Sequence, residues 1–164
     1  MISKTRADCT KSVQKFAPYI NQNGGDVLYV GIAGDPKGGE YASLFINKSI
    51  TMDIDPIWNP DIVGDITKTS FSDEEWSNIV IVQVIEHIKT IWDLPRELHR
   101  ILKKNGLIII DCPWQYPYHA EPPSFGDYWR ISIDGFKVLF DSNLFTLEDF
   151  VKTENNTSCL FRKK

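Results

Sequence analysis

The 164-residue sequence predicts an α/β fold: a doubly wound, mostly parallel seven-stranded sheet that ends in a C-terminal antiparallel hairpin. Three observations carry this. Apolar segments of strand length alternate with amphipathic helical segments through residue 111, the pattern of parallel strands joined by crossovers. Asn78-Ile79-Val80-Ile81-Val82-Gln83 and Leu107-Ile108-Ile109-Ile110-Asp111 are unbroken apolar runs, largely β-branched, as expected of strands buried on both faces. The stretch from Asp26 to Glu40 reads as a short strand, a loop with four glycines (Gly31, Gly34, Gly38, Gly39) and the start of an amphipathic segment. Strand, glycine loop and helix in that order bring backbone N–H groups close to a ligand, because glycine has no Cβ to block the approach.

Taken in order, residues 8–20 read as a helix with Val13, Phe16, Ala17 and Ile20 on one face and Asp8 near its start. Gly24-Gly25 ends it and turns into a first strand at 27–30. A short helix is expected over 39–47, then a second strand at 49–53 with an acidic end. Pro56 and Pro60 push their preceding residues to extended geometry, so 55–60 is expected to be non-helical. A brief third strand at 61–65 again ends in aspartate, and Ser72-Asp73-Glu74-Glu75 reads as the acidic first turn of a short helix leading to Trp76. The fourth strand, 78–83, runs straight into Glu86-His87-Ile88. Ile91, Leu94, Leu98, Ile101 and Leu102 then repeat at helical spacing up to Asn105-Gly106, with Pro95 tolerable only in a first turn. The fifth strand is 107–111, and residues 112–131 form a long loop rich in proline and aromatics. A helix at about 133–141 capped by Ser132, and strands at 145–151 and 157–161, complete the chain.

Length and composition bound the function. One domain spanning 1–164 with a single core fits the length, and 42% hydrophobic with 24% charged residues is ordinary for a globular chain. A net charge of −4 argues against a nucleic-acid partner, and the basic Arg162-Lys163-Lys164 reads as a solvated end. The N-terminus has no apolar run behind its charges and no run is long enough to span a membrane, so a cytoplasmic protein without a signal peptide is expected. Cys9, Cys112 and Cys159 are odd in number and widely spaced, which suits a reducing compartment.

Ligands of doubly wound sheets bind beyond the carboxyl ends of the strands. The glycine loop, Asp53, Asp65, Gln83, Glu86 and the 112–131 loop all fall there. Further motifs keep a fixed order: Asp61-Ile62-Val63-Gly64-Asp65-Ile66-Thr67, then Val84-Ile85-Glu86-His87-Ile88, then the segment 96–106, and finally His119 with Pro122, Asp127-Tyr128 and Arg130. In this order the chain resembles the class I S-adenosylmethionine-dependent methyltransferases, specifically the small, type 11-like methyltransferase domains of bacterial and phage type. The terminal hairpin fits as well, since dinucleotide dehydrogenases lack it.

The resemblance implies a Rossmann-like methyltransferase fold that uses S-adenosylmethionine, releases S-adenosylhomocysteine and needs no metal. It implies that Gly31, Ala33 and Gly34 form the turn beneath the methionine part of the cofactor. Asp53, with Ile54 beside it, would accept hydrogen bonds from the ribose hydroxyls, a task suited to an ionised carboxylate. Asp65 and the N–H of Ile66 would read the adenine edge, and Gln83 and Val84 would floor the sulfonium. Three features depart from the family: Tyr29 stands where an acidic residue is usual, Ala33 and Asp35 stand where further glycines are usual, and no helix joins the second and third strands.

Methyl transfer needs alignment of donor and acceptor and often a base, and an imidazole titrates near neutrality. His87 and His119 are therefore the candidate bases; the competing reading of His87 is a packing histidine at the start of the next helix. Glu86, Tyr118, Asp127, Tyr128 and Arg130 are candidate residues for orienting a polar acceptor; the competing reading is a loop tied down by an internal Asp–Arg pair. Trp114, Tyr116, Tyr118 and Trp129 would stack on a sugar or base ring, or simply pack the loop. Asp111-Cys112-Pro113-Trp114 echoes a motif of adenine N6-methyltransferases but follows the fifth strand instead of the fourth. Cys112 and His119 have no second metal pair at ligand spacing, so a zinc site is not expected. The expectation is methylation of oxygen or nitrogen on a small polar acceptor such as a sugar or nucleotide-sugar. The alternative is a catalytically inactive methyltransferase-like domain that binds a partner protein. An NAD-dependent oxidoreductase is disfavoured, because the glycines do not fall as Gly-x-Gly-x-x-Gly.

Overall fold

The computed structural model describes residues 4–32, 39–120 and 125–164. Seven strands form one sheet in the order β3-β2-β1-β4-β5-β7-β6. The strands are β1 (Val27–Val30), β2 (Ser49–Asp53), β3 (Ile62–Val63), β4 (Trp76–Val82), β5 (Leu102–Pro113), β6 (Phe145–Lys152) and β7 (Asn156–Lys163). Strands β1 to β5 are parallel where they pair, while β7 runs antiparallel to β5 and β6 antiparallel to β7. The helices are α1 (Lys4–Asn23), a single turn α2 (Gly39–Ala42), α3 (Asp93–Ile101) and α4 (Ile133–Leu139).

Because strand side chains alternate, each central strand feeds two cores. Leu28, Val30, Ile79, Ile81, Ile108 and Ile110 pack on one face with Leu94 and Leu98 of α3 and Phe136 of α4. Val27, Tyr29, Val80, Val82, Leu107 and Ile109 pack on the other with Val13, Phe16, Ala17 and Ile20 of α1. Burial of both faces explains why the central strands are apolar throughout, with no polar alternation. Among the described residues no helix is long and apolar enough to cross a membrane.

Several expected elements differ, each for a local reason. Helix α1 starts a turn earlier than residue 8 and continues through Pro18, so Asp8 lies inside it and does not cap it. The helix expected at 39–47 is one turn long. Asn21 of α1 takes over its backbone, donating to the Leu44 carbonyl (3.1 Å) and accepting from the Ile46 N–H (2.9 Å). Residues 56–58 form a 3-10 turn instead of an extended segment: Pro56 occupies the first position, where no N–H is needed, and the Asp55 carboxylate accepts from the Ile57 N–H. No helix leads to Trp76. Arg100 holds the segment instead, donating to the Phe71 carbonyl and to Asp73, while its own carbonyl accepts from Glu74 N–H at 2.9 Å.

Helix α3 ends at Ile101, short of the expected Asn105-Gly106, and β5 begins at once, its pairing jumping from Trp76↔Leu102 to Asn78↔Leu107. Pro95 lies in the first turn of α3, where a missing N–H costs nothing. The basic C-terminus is no solvated end. Arg162 meets Glu148 at 2.8 Å, and the buried Lys163 donates to the Leu102 carbonyl (2.8 Å) and to Glu74 (3.1 Å).

Candidate active site

The carboxyl ends of β1, β2 and β4 open onto a cleft of about 640 Å³. Gly31 follows β1 with φ at +83°, and its N–H donates to the Met52 carbonyl at 2.9 Å. A Cβ here would sit 2.0 Å from Val84 Cγ2, so the segment after β1 packs on the Val84 side chain after β4 too closely for a side chain at 31 while Val84 stands there. Asp53 closes β2. Its Oδ2 accepts from the Ile32 N–H (2.8 Å) and its Oδ1 from the Asp55 N–H (2.9 Å), which fixes the carboxylate while each oxygen keeps a lone pair toward the cleft. Asp65 accepts from the N–H and hydroxyl of Thr67 through Oδ1 alone. Gln83 adopts a left-handed backbone (φ +56°) and donates through Nε2 to Asp111, a carboxyl that burial raises above its ordinary range and that Ser158 and Cys9 also contact.

Of the sequence-predicted residues, Gly31, Asp53, Ile54, Asp65, Ile66, Gln83, Val84, His87, His119 and Tyr128 line this one cleft. Ala33 and Gly34 lie outside the described residues, as do Asp35 and Pro122. Tyr118 is largely exposed and does not line the cleft. Glu86, Asp127 and Arg130 do not line it either, but form a layer behind its wall.

That layer is built by the 112–131 loop docking onto a 3-10 turn, Ile85–His87, that follows β4. Tyr128 N–H donates to the Glu86 carbonyl (2.8 Å), and Trp129 Nε1 donates to the Ile88 carbonyl (2.8 Å). Arg130 grips the Asp127 carboxylate with both Nη atoms (2.5 and 2.9 Å) and also donates to the carbonyls of Tyr116, Pro117 and Trp129. Arg130 accordingly holds the Asp127 carboxyl well below the usual range. Asp127 Oδ2 in turn accepts from the His119 backbone N–H at 2.9 Å.

The histidine tautomers follow from their partners. His87 Nδ1 lies 2.5 Å from the Gly126 carbonyl, which can only accept, so Nδ1 carries the proton. His119 Nδ1 lies 3.2 Å from the Pro117 carbonyl and 3.1 Å from Asp127 Oδ2, again acceptors only. Both Nε2 atoms are thereby left with a free lone pair. They converge on Glu86 Oε1, at 3.7 Å from His87 and 3.8 Å from His119. Burial lowers the His87 imidazole and raises the fully buried Glu86 carboxyl well above its ordinary value. The two rings meet edge to face, 4.9 Å apart, with Phe125 against His87 and Tyr116 against His119.

Tyr41, Thr90, Phe125 and Cys9 also line the cleft and were not singled out from the sequence. Tyr41 directly follows the glycine loop, which is a usable signal; Cys9 arrives from the far side of the chain on α1, and nothing local announces it.

Comparison with known proteins agrees with this architecture. Residues 13–110, more than half the chain, match the family described as "Methyltransferase domain". No curated protein is detectably similar in sequence. Among solved structures, the PH0226 protein of Pyrococcus horikoshii superposes with a TM-score of 0.74 at 16% identity, over 99% of this chain and 92% of that one. A SAM-dependent methyltransferase from Archaeoglobus fulgidus gives 0.71 at 12% identity, covering 98% and 95%. The 1,6-didemethyltoxoflavin-N1-methyltransferase of Burkholderia thailandensis, with 1,6-didemethyltoxoflavin and S-adenosylhomocysteine bound, gives 0.70 at 10% identity, covering 95% and 78%. With the sheet order, the terminal antiparallel pair and the family match together, the chain belongs to the class I S-adenosylmethionine-dependent methyltransferases, as a methyltransferase-domain member with a Rossmann-like sheet.

Proposed function

We propose that this protein transfers a methyl group from S-adenosylmethionine to an oxygen or nitrogen of a small polar acceptor, with sugars and nucleotide-sugars the first class to test. One observation carries the reading: Gly31, Asp53, Asp65, Ile66, Gln83 and Val84 surround a single cleft whose far wall carries two imidazoles with free Nε2 lone pairs. The residues fit the cofactor. Gly31 lets the backbone after β1 lie against Val84 at the cleft floor, and Asp53 offers two fixed carboxylate oxygens to a ribose diol. Asp65 keeps Oδ2 for a donor at the adenine end, with Lys68 near it at 3.6 Å.

When bound, S-adenosylmethionine supplies an electrophilic methyl on a sulfonium, and the thioether leaves as S-adenosylhomocysteine. The chain's own part is to align, to exclude water and to take the acceptor's proton. His119 and His87 receive that proton at Nε2, each held in the required tautomer by a fixed acceptor at Nδ1. The Gly126 carbonyl holds the His87 ring, and Asp127, clamped by Arg130, holds His119 from behind. Tyr116, Phe125 and Tyr128 line the acceptor side and favour a compact ligand. A compact ligand also suits the Burkholderia neighbour, whose bound substrate is a small molecule.

Calorimetric titration with S-adenosylmethionine and S-adenosylhomocysteine tests the cofactor half. Micromolar binding of both, lost on Asp53→Ala, is expected. No binding at millimolar ligand overturns the proposal and leaves a partner-binding domain as the better account.

A further inference from the structure

We infer that Glu86, His87 and His119 form a binding site for a divalent transition-metal ion such as zinc at the acceptor end of the cleft.

The Glu86 side chain is fully buried, and neither carboxylate oxygen has a hydrogen-bond partner on another described residue. The large majority of buried side-chain polar atoms in native proteins have a partner, so a buried carboxyl with neither oxygen met by another described residue points to something that binds it. The neighbouring residues do not meet the need. Arg130, the nearby cation, is committed to Asp127 and to three backbone carbonyls. The imidazole Nε2 atoms stand at 3.7 and 3.8 Å, beyond hydrogen-bond reach.

Those separations suit an ion shared between the three groups. One ligand atom from each of Glu86, His87 and His119 falls within 4.8 Å of the others. A tetrahedral ion with bonds of about 2.1 Å holds its ligand atoms about 3.4 Å apart, so Glu86 needs to close on each imidazole by a few tenths of an ångström, and the third pair by at most about 1.4 Å. Side-chain chemistry agrees, since two imidazoles and a carboxylate are a donor set for zinc and similar ions.

The surrounding groups complete the case. A ligating imidazole ordinarily donates its other N–H to a carbonyl or carboxylate, which fixes the tautomer and raises the basicity of the ligand nitrogen. His87 does so to the Gly126 carbonyl and His119 to Asp127, which is itself clamped by Arg130. Both histidines line the cleft with Glu86 behind them, so an ion here keeps an open side toward the cleft. In so far as the methyl-transfer reading holds, an oxygen of the acceptor completes the ion's shell, and the ion takes over from the free imidazoles the task of acidifying it. The metal site itself stands without that reading.

The test uses purified protein stripped with a chelator and titrated with Co²⁺ by visible absorption, and with Zn²⁺ by calorimetry. Metal content is then measured after gel filtration. One equivalent of ion is expected, with ligand-field bands of a low-coordinate Co²⁺ site. Glu86→Gln and His119→Ala are each expected to weaken binding at least about tenfold. His99→Ala, remote from the cleft against Phe145, should leave it unchanged. His119 lies on the half-exposed loop, so its variant keeps the test valid if Glu86→Gln fails to fold. Absence of bound ion in the wild type overturns the proposal, as does an ion whose affinity survives both substitutions. Neither result bears on S-adenosylmethionine binding, which the preceding titration reads separately.

Discussion

Gly31→Ala probes the packing of the segment after β1 against Val84, which follows the neighbouring parallel strand β4, at the cleft floor. Two costs are separable. The left-handed backbone at φ +83° costs a non-glycine residue about 1–2 kcal/mol. The new Cβ, at 2.0 Å from Val84 Cγ2, forces either an unfavourable Val84 rotamer or a backbone shift, about 1–3 kcal/mol. The single substitution is therefore expected to destabilise by about 2–5 kcal/mol in total. Val84→Ala removes the offending methyl. In that background Gly31→Ala should cost only the backbone term of about 1–2 kcal/mol. Urea unfolding followed by tryptophan fluorescence, which five tryptophans make feasible, measures all four corners of the cycle. A coupling of about 1–3 kcal/mol favouring the double variant is expected; a coupling under about 0.5 kcal/mol refutes the steric argument, because independent sites add within that margin.

Three further outcomes follow from polar contacts away from the cleft floor. Burial raises the Glu97 carboxyl, but hydrogen bonds from Arg100 and from the Thr69 N–H and hydroxyl outweigh it and hold the group below its ordinary value. Its stabilisation is thus present above the unfolded-state value and is lost as pH falls through the lower folded value, and Glu97→Gln should flatten that acid limb in a stability–pH profile. Lys163→Met keeps the buried stem but removes the donor to Leu102 O and Glu74, and should cost about 1–3 kcal/mol in denaturant unfolding. Arg130→Lys cannot reproduce the two-pronged grip on Asp127. It should speed hydrogen exchange at the His119 amide while leaving S-adenosylmethionine affinity unchanged.

What the sequence made legible was whatever burial writes locally. The β4 and β5 runs are apolar because both faces are covered, so their identity and parallel pairing could be read directly. The hairpin of β6 and β7 and the Ser132 cap were equally local. What failed were elements decided by distant partners. The helix at 39–47 is cut short by Asn21, the one at 72–76 is replaced by contacts to Arg100, and the basic terminus is drawn into the sheet beside Leu102. None of these partners is near in sequence. The same limit applies to the site: the aspartates ending strands were visible, but the meeting of Glu86 with His119 was not. One sits on the turn after β4 and the other on a loop some thirty residues later, so no ligand spacing announces them.

The two ends of the cleft are built differently, and this bears on what can change without loss of the fold. The end proposed above for the cofactor is made by residues at or just beyond the carboxyl ends of β1 to β4, so its geometry is inherited from the sheet. The end proposed for the acceptor hangs on one loop fastened to the 85–88 segment by the Tyr128 N–H, the Trp129 indole and the Gly126 carbonyl, and stiffened internally by Arg130 and Asp127. Two of these fastenings use the backbone carbonyls of Glu86 and Ile88, which any residue at those positions supplies, and the third is the His87 ring, whose Nδ1 donates to the Gly126 carbonyl. The Glu86 and His119 side chains make no such fastening. A buried carboxyl at 86 that meets no hydrogen-bond donor on another described residue is a cost the attachment does not require, which is what an ion bound at the proposed site would offset.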